Sequence, residues 1–354
     1  MIKLGFLGGG YDSIAGKVHF IASQMDNYFK VVGGIFSRDD LKSKKSAKIY
    51  NVKHFNSLEE MCKEVDIVVV LTPTPIHYQN LLEISKYDVG VICDKPLVSN
   101  LQEAIKIKKL YQDRFIVVTH NYNGYPMIRE LRALIKQQKF GAIKNIIINM
   151  PQESFLRPPK SVKYPQKWRL EDGKIPTIAL DLGVHVYNLA YFLLQKSPNR
   201  VLIEASNFSK YNVIDDMKIW VRYEDDTKGS FWISKTALGN ANALSIELYG
   251  EKASAKWSHE NPEELIIAYN NGKKEIISRS CNLLEAGKKR YNRMTPGHPS
   301  GFIEAFANIY VDIASYYKDK KNPYVFGVDH TIDSLRFFEV AMQSYKQGGW
   351  IENY

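Results

Sequence analysis

Hydrophobic positions along the chain follow two rhythms. In residues 1–120, short unbroken apolar runs recur at residues 1–7, 31–36 (Val-Val-Gly-Gly-Ile-Phe), 66–71 (Asp-Ile-Val-Val-Val-Leu), 90–94 and 116–120. Runs without alternation are what parallel strands buried on both faces look like. Helical spacing fills the intervals: Val18, Phe20, Ile21 and Ala22 after the first run, a lysine-rich stretch over 39–50, and segments over 57–64, 76–87 and 99–110. Ser57 with Glu60, and Ser99 with Gln102, have the spacing of capping boxes. Five strand–helix alternations predict an α/β domain over residues 1–121 with a doubly wound parallel sheet.

Beyond His120 the rhythm changes. Pro126 suits a first helical turn, and Ile128, Leu131, Leu134 and Ile135 form an amphipathic stripe ending at Gly141. Strands then dominate, at 143–149, 201–207, 217–223, 229–235, 244–250, 264–269 and 274–278. Alternation such as Lys218-Ile-Trp-Val-Arg222 predicts an antiparallel sheet with one wetter face. Residues 122–354 thus read as an α+β domain closed by helices over 301–317 and 330–346. The irregular Pro- and Lys-rich segment 151–176 reads as a lid or substrate loop.

Composition changes this picture little. The chain has 354 residues, enough for about two domains. Its three cysteines, Cys62, Cys93 and Cys281, are far apart and form no C-x-x-C, which argues against a disulfide framework and a metal site and suits a reducing compartment. No signal-peptide pattern opens the sequence, and no apolar run approaches the ~20 residues that span a bilayer, so a cytoplasmic protein without membrane attachment is expected. The net charge of +10 is spread over lysines scattered through helices, with no nucleic-acid motif beside them. It leans only toward an anionic small molecule.

Candidate chemistry gathers at strand ends. The first run meets Gly8-Gly9-Gly10-Tyr11-Asp12-Ser13, with Gly16 beyond. Glycines let a backbone turn sharply against a pyrophosphate, and the following helix start favours an anion. Gly8 and Gly10 fit G-x-G-x-x-G, while Ser13 occupies the third glycine's place; a hydroxyl and an extended turn are therefore expected at the pyrophosphate in place of a third close glycine. The second strand ends in Ser37-Arg38, a tip that favours the 2′-phosphate of NADP over the 2′-hydroxyl of NAD, with Asp39 and Asp40 just beyond. Thr72-Pro73, with His77 further on, and Asp94-Lys95-Pro96 follow the next strand ends, and Lys95 is the lysine best placed to face a substrate. In the second half, Asp181 and His185 stand four apart in an apolar helix over 176–194. The pair reads either as an oriented proton acceptor or as two buried polar groups satisfying each other. Trp168-Arg169 reads as a sugar-stacking surface with a cation, or as a packed Trp with a surface Arg.

Together these residues resemble the glucose–fructose oxidoreductase / inositol dehydrogenase (Gfo/Idh/MocA) family. Gly8-Gly9-Gly10 with Ser13, Gly16 and His19 is similar to its nucleotide turn, Asp94-Lys95-Pro96 to its Glu-Lys-Pro motif, and Asp181-Leu-Gly-Val-His185 to its D-x-G-x-H motif. His120-Asn121-Tyr122 and the stretch from Gly297 to Ala307 resemble a sugar or polyol branch. The resemblance implies an N-terminal Rossmann domain, a large open and mostly antiparallel C-terminal sheet, and hydride exchange between NAD(P) and a ring carbon of a sugar, inositol or sugar derivative, nucleotide sugars included. It implies that His185 takes the hydroxyl proton, Lys95 polarises that oxygen and Asp181 orients the site. It places cofactor contacts at Gly8, Gly10, Tyr11, Asp12, Ser13, Ser37, Arg38, Thr72, Pro73, His77 and Asp94–Pro96, with substrate contacts at Lys95, Asn121, Tyr122, Trp168, Arg169, Asp181 and His185. It implies a homo-dimer or homo-tetramer. Two positions depart from the pattern: residues 173–179 lack the glycine cluster many relatives carry, and Asn188 stands where many have Asp. The competing reading is a non-catalytic nucleotide-binding regulatory protein on the same fold.

Overall fold

The computed structural model describes residues 1–158 and 164–353. The N-terminal residues form β1 (Ile2–Gly8), α1 (Ile14–Gln24), β2 (Phe29–Ile35), α2 (Asp40–Tyr50), β3 (Lys53–His54), α3 (Leu58–Cys62), β4 (Ile67–Leu71), α4 (His77–Ile84), β5 (Gly90–Asp94), α5 (Leu101–Leu110) and β6 (Ile116–Thr119). Then come α6 (Pro126–Lys136), β7 (Ile143–Pro151), α7 (Val184–Leu194), β8 (Arg200–Ser206), β9 (Asp216–Arg222), β10 (Lys228–Ser234), β11 (Ser245–Gly250), β12 (Ala253–Ser258), β13 (Asn261–Tyr269) and β14 (Lys274–Ser278). The chain closes with α8 (Phe302–Asp319), α9 (Val328–Gln347) and β15 (Ile351–Glu352).

Two compact units result. The first comprises residues 1–124 and 301–332, the second residues 125–300 and 333 onward. The sequence reading divides the chain once, at 121/122; in the structure residues 301–332 cluster with the first unit. The reason is apolar burial: Phe306, Ile309, Tyr310 and Ile313 of α8 join Leu4, Phe6, Val18, Phe29 and Val69 in one core.

In the first unit six strands lie in the order β3-β2-β1-β4-β5-β6, all parallel. The β-branched run Ile67–Leu71 sits at the centre, buried throughout. Strand order reverses between β1 and β4, where open α/β sheets bind ligands outside the carboxyl ends of their strands. Three local expectations are revised. The short strand β3 joins the edge. Asn100, not Ser99, caps α5, accepting from Glu103 N at 3.0 Å. The helix expected over 76–87 is α4, which ends three residues earlier, at Ile84, and follows a 3₁₀ turn, Thr74–Ile76.

In the second unit nine strands run β14-β13-β12-β11-β7-β10-β9-β8-β15, antiparallel except for the β7–β10 pair. Strands β12 and β15 were not expected. In β12 only Ala253, Ala255 and Trp257 alternate with Ser254, Lys256 and Ser258, so its apolar signal is faint. One face of the sheet is core; the other presents Ile147, Leu202, Trp220 and Trp232, all half-buried, among polar neighbours. No helix among the described residues is long and apolar enough to cross a membrane.

Candidate active site

The glycine turn carries its strain in two residues. Gly8 and Gly9 have φ of 87° and 71°, and a Cβ on Gly8 would lie 2.8 Å from the Leu71 and Thr72 backbone. Side chains are excluded there, which leaves the bare backbone approach that a pyrophosphate requires. Gly16 corrects the sequence reading. A Cβ on it would sit 2.0 Å from the Gly9 carbonyl oxygen, so α1 docks directly onto the turn at Gly16. The third close glycine is present, displaced along the chain by residues 11–15. Ser13 caps α1, its hydroxyl accepting from Gly16 N at 3.1 Å, which leaves its O–H to donate. Around this turn Tyr50 donates to Gly9 O at 3.2 Å, Tyr11 N donates to Ser46 Oγ at 3.3 Å, and Lys42 pairs with Asp12 at 2.8 Å. Lys45 lies 4.9 Å from the Tyr11 ring centre. After β2, Ser37 Oγ accepts from Asp39 N, while Arg38 is exposed and forms no ion pair among the described residues.

The next two strand ends are tied together by His77. Its ring is buried, with Nε2 2.7 Å from Thr72 O and Nδ1 2.9 Å from Pro96 O. The ring therefore braces the loops after β4 and β5. Burial is the main force lowering its pKa, against those carbonyl contacts. Pro96 follows Lys95 through a cis peptide.

Beside Lys95, a buried relay fixes Asp94. Tyr310 OH lies 2.7 Å from His19 Nδ1, His19 Nε2 lies 3.5 Å from Asp94 Oδ1, and Thr119 Oγ1 donates to the same oxygen at 2.9 Å. With the phenol donating to Nδ1, the His19 Nε2–H faces the carboxylate. Burial pushes the Asp94 carboxyl up, but His19, the Lys95 ammonium and Thr119 outweigh it and hold the pKa well below the usual carboxylate range. Asp94 is thus a fixed anion next to Lys95. After β6, Asn121 and Tyr122 lie in a buried 3₁₀ turn (Asn121–Gly124), and the Asn121 Nδ2 donor has no hydrogen-bond partner among the described residues. His120 just before it is held neutral, its pKa pushed well down by burial, with His330 and Lys95 adding to the effect.

In the second unit, the expected helix 176–194 starts as a π-helical turn, Ala179–Gly183, and becomes α7 only at Val184. Such turns are frequent at functional sites. A Cβ on Gly183 would lie 2.6 Å from Phe338 Cζ, so the glycine lets this turn press on α9. Asp181 projects from the turn to two cations, Arg169 and Lys235. Arg169 also stacks on Trp168, its guanidinium carbon 4.4 Å from the ring centre. Both readings of Trp168-Arg169 are thereby narrowed: the Arg is an ion-pair partner and the Trp its platform. Lys235, 5% exposed, follows the last residue of β10 and lies over Phe155. Burial lowers its pKa, Asp181 raises it, and Arg169 lowers it again. His185 is buried one turn along, in α7. The expected lid is only partly visible: it includes a short 3₁₀ turn, Lys167–Leu170, while residues 159–163 lie outside the described residues. Among the described residues, no three His, Cys, Asp or Glu side chains group as metal ligands.

Residues 2–122 match the oxidoreductase family with an NAD-binding Rossmann fold, and residues 128–256 match the Gfo/Idh/MocA C-terminal domain. The chain belongs to the Gfo/Idh/MocA family. As a member it is an oxidoreductase with an NAD-binding domain. It is 26% identical to an uncharacterized oxidoreductase of Bacillus subtilis (strain 168), over 99% of this chain and 96% of that protein. With glucose-6-phosphate 3-dehydrogenase of the same organism it shares 24% identity over 74% of this chain and 76% of that protein. Its fold matches an inositol dehydrogenase homolog of Azotobacter vinelandii complexed with NAD+, with a TM-score of 0.90 at 23% identity over 99% of this chain and 97% of that one.

The residues expected at the cofactor, Gly8, Gly10–Ser13, Ser37, Arg38, Thr72, Pro73, His77 and Asp94–Pro96, follow or close the strands β1, β2, β4 and β5 at their carboxyl ends. Sequence reasoning missed Tyr310 and Thr119, and placed His19 only as part of the glycine turn. It missed Lys235 altogether. Nothing in the local sequence marks Tyr310 or Lys235, since their partners are distant in the chain.

Proposed function

We propose that this Gfo/Idh/MocA protein is an NAD(P)-dependent dehydrogenase or reductase acting on a ring hydroxyl or ketone of a sugar, inositol or sugar derivative. The observation that carries this reading is the Tyr310–His19–Asp94 relay, which holds an anion beside Lys95. A protein that merely bound a nucleotide would have no need to fix a half-buried carboxylate next to that ammonium. The turn at Gly8–Gly10 and the Ser13 hydroxyl would hold the pyrophosphate, and Arg38 with Ser37 would meet the adenosine ribose, favouring NADP. The bound nicotinamide would supply hydride transfer at its C4.

The chain's own residues handle the proton and the charge. Lys95 donates to the substrate oxygen and stabilises negative charge developing there. His185 takes the hydroxyl proton, or returns it in reduction. Asp181, clamped by Lys235 and Arg169, is held in one orientation. Asn121 offers its buried amide to a substrate hydroxyl. Proposed as well is a homo-oligomer formed through the outer sheet face, where Trp220 and Trp232 sit half-buried. The test is a panel of sugars, sugar phosphates, inositols and sugar nucleotides with both cofactors, followed at the reduced-nicotinamide absorbance. Turnover of at least one ring alcohol supports the reading; cofactor binding without turnover of any compound favours the regulatory alternative.

A further inference from the structure

The cofactor edge uses the carboxyl ends of the strands. The amino ends carry a separate cavity of about 700 Å³ in the first unit. Five lysines line it, Lys3, Lys30, Lys48, Lys53 and Lys63, against the single acid Glu64. Two of the five are neutralised: Lys53 by Glu64 and Glu60, and Lys63 by Glu59. Lys3, Lys30 and Lys48 are exposed and form no ion pair among the described residues. Lys3 and Lys30 are also register partners on neighbouring parallel strands, β1 and β2. Adjacent strands lie about 4.8 Å apart, and like charges facing each other at that spacing repel.

Two carboxylates oppose an anion here, Glu64, which is paired with Lys53, and Asp66, whose Oδ2 accepts from Lys3 N at 2.7 Å. The end of α2, whose carbonyls would oppose one, is closed: Asn51 N bonds Lys48 O at 3.2 Å and Val52 N bonds Ala47 O at 3.0 Å. Val31 and Val52 give the lining an apolar part. The volume is that of a metabolite-sized site.

We propose that this cavity binds a small polyanion, a metabolite carrying two or more phosphate or carboxylate groups. Its charges meet the ammonium groups of Lys3, Lys30 and Lys48, and its carbon skeleton lies on the valines. Occupancy removes the Lys3–Lys30 repulsion, so binding is coupled to the stability of the first unit. Because β1 and β2 run from this cavity to the glycine turn and to Ser37-Arg38, the ligand acts on the same strands that present the cofactor loops.

The test is titration calorimetry of the full chain with two probes, inorganic tripolyphosphate and citrate, which separate phosphate from carboxylate recognition. At least one probe should bind one-to-one and weaken as salt rises from about 50 to about 200 mM. Lys3→Gln/Lys30→Gln should weaken it at least about tenfold, Lys48→Gln should weaken it in the same direction, and Arg38→Ala should leave it unchanged. The double variant should unfold at or above the wild-type temperature without ligand, since a like-charge pair is gone. The proposal is overturned if neither probe binds, if both lysine variants bind as wild type, or if Arg38→Ala abolishes binding, which would put the anion at the cofactor edge.

Discussion

Replacing His19 by Leu tests the relay beside Lys95. The imidazole is wholly buried and contacts two polar groups: Tyr310 OH at 2.7 Å and Asp94 Oδ1 at 3.5 Å. Leucine fills much of the volume but leaves a buried phenol without its acceptor and a half-buried carboxylate with Thr119 and Lys95 alone. One buried polar group left unpaired costs about 1–3 kcal/mol, and the weakened interaction with the half-buried carboxylate adds about 1 kcal/mol, so the loss is about 2–4 kcal/mol. For a unit of about 150 residues this lowers the melting temperature by roughly 10 °C.

The effect carries a pH signature. Asp94 has a folded pKa held below its unfolded value, about 3.9. It therefore contributes stability that is present above about pH 4 and lost as pH falls through the folded value. Without His19, burial is opposed less, the folded pKa rises, and this contribution shrinks across the neutral range as well. Thermal unfolding from about pH 3.5 to 7 should show the variant below wild type at every pH, because the unpaired phenol costs the same throughout, with the gap widest at neutral pH. His19→Gln, which keeps an acceptor for the phenol and a donor for the carboxylate, should recover part of the loss. A melting temperature within ~2 °C of wild type at every pH would refute the relay's role.

Two further outcomes follow from the site. Arg38→Ala should weaken NADPH by about 10–100-fold and NADH little, measured by fluorescence titration; equal losses would remove Arg38 from the 2′-phosphate. Lys235→Met should cost about 1–3 kcal/mol in chemical denaturation, because Asp181 keeps Arg169 as a partner while losing its buried one. It should also lower turnover more than cofactor affinity, and an unaffected turnover would confine Lys235 to a structural role.

What was legible in the sequence followed the strength of local signals. Unbroken runs such as Ile67–Leu71 announce buried parallel strands, and strand β12 escaped because alanine and serine barely alternate. The strand-end loops expected at the cofactor are legible because each carries its own residues in sequence. The displaced third glycine is illegible for a local reason: Gly16 meets Gly9 only after residues 11–15 loop back, and no fixed spacing announces that. The charged partners were beyond reach because folding alone unites them, as with His19 and Tyr310, 291 residues apart, and Lys235 and Asp181, 54 apart. The π-helical turn at Asp181 is indistinguishable from plain helix in the sequence, because its apolar composition suits either.

The central claim is that Lys95 serves turnover in an NAD(P)-dependent oxidation of a ring alcohol. Its most direct test is the reduced-nicotinamide absorbance of wild type and Lys95→Ala with the best compound of the panel, alongside cofactor titration of both proteins. The account predicts that Lys95→Ala folds and still binds cofactor, while its turnover falls by about 10²–10⁴. Wild-type turnover in Lys95→Ala would contradict it.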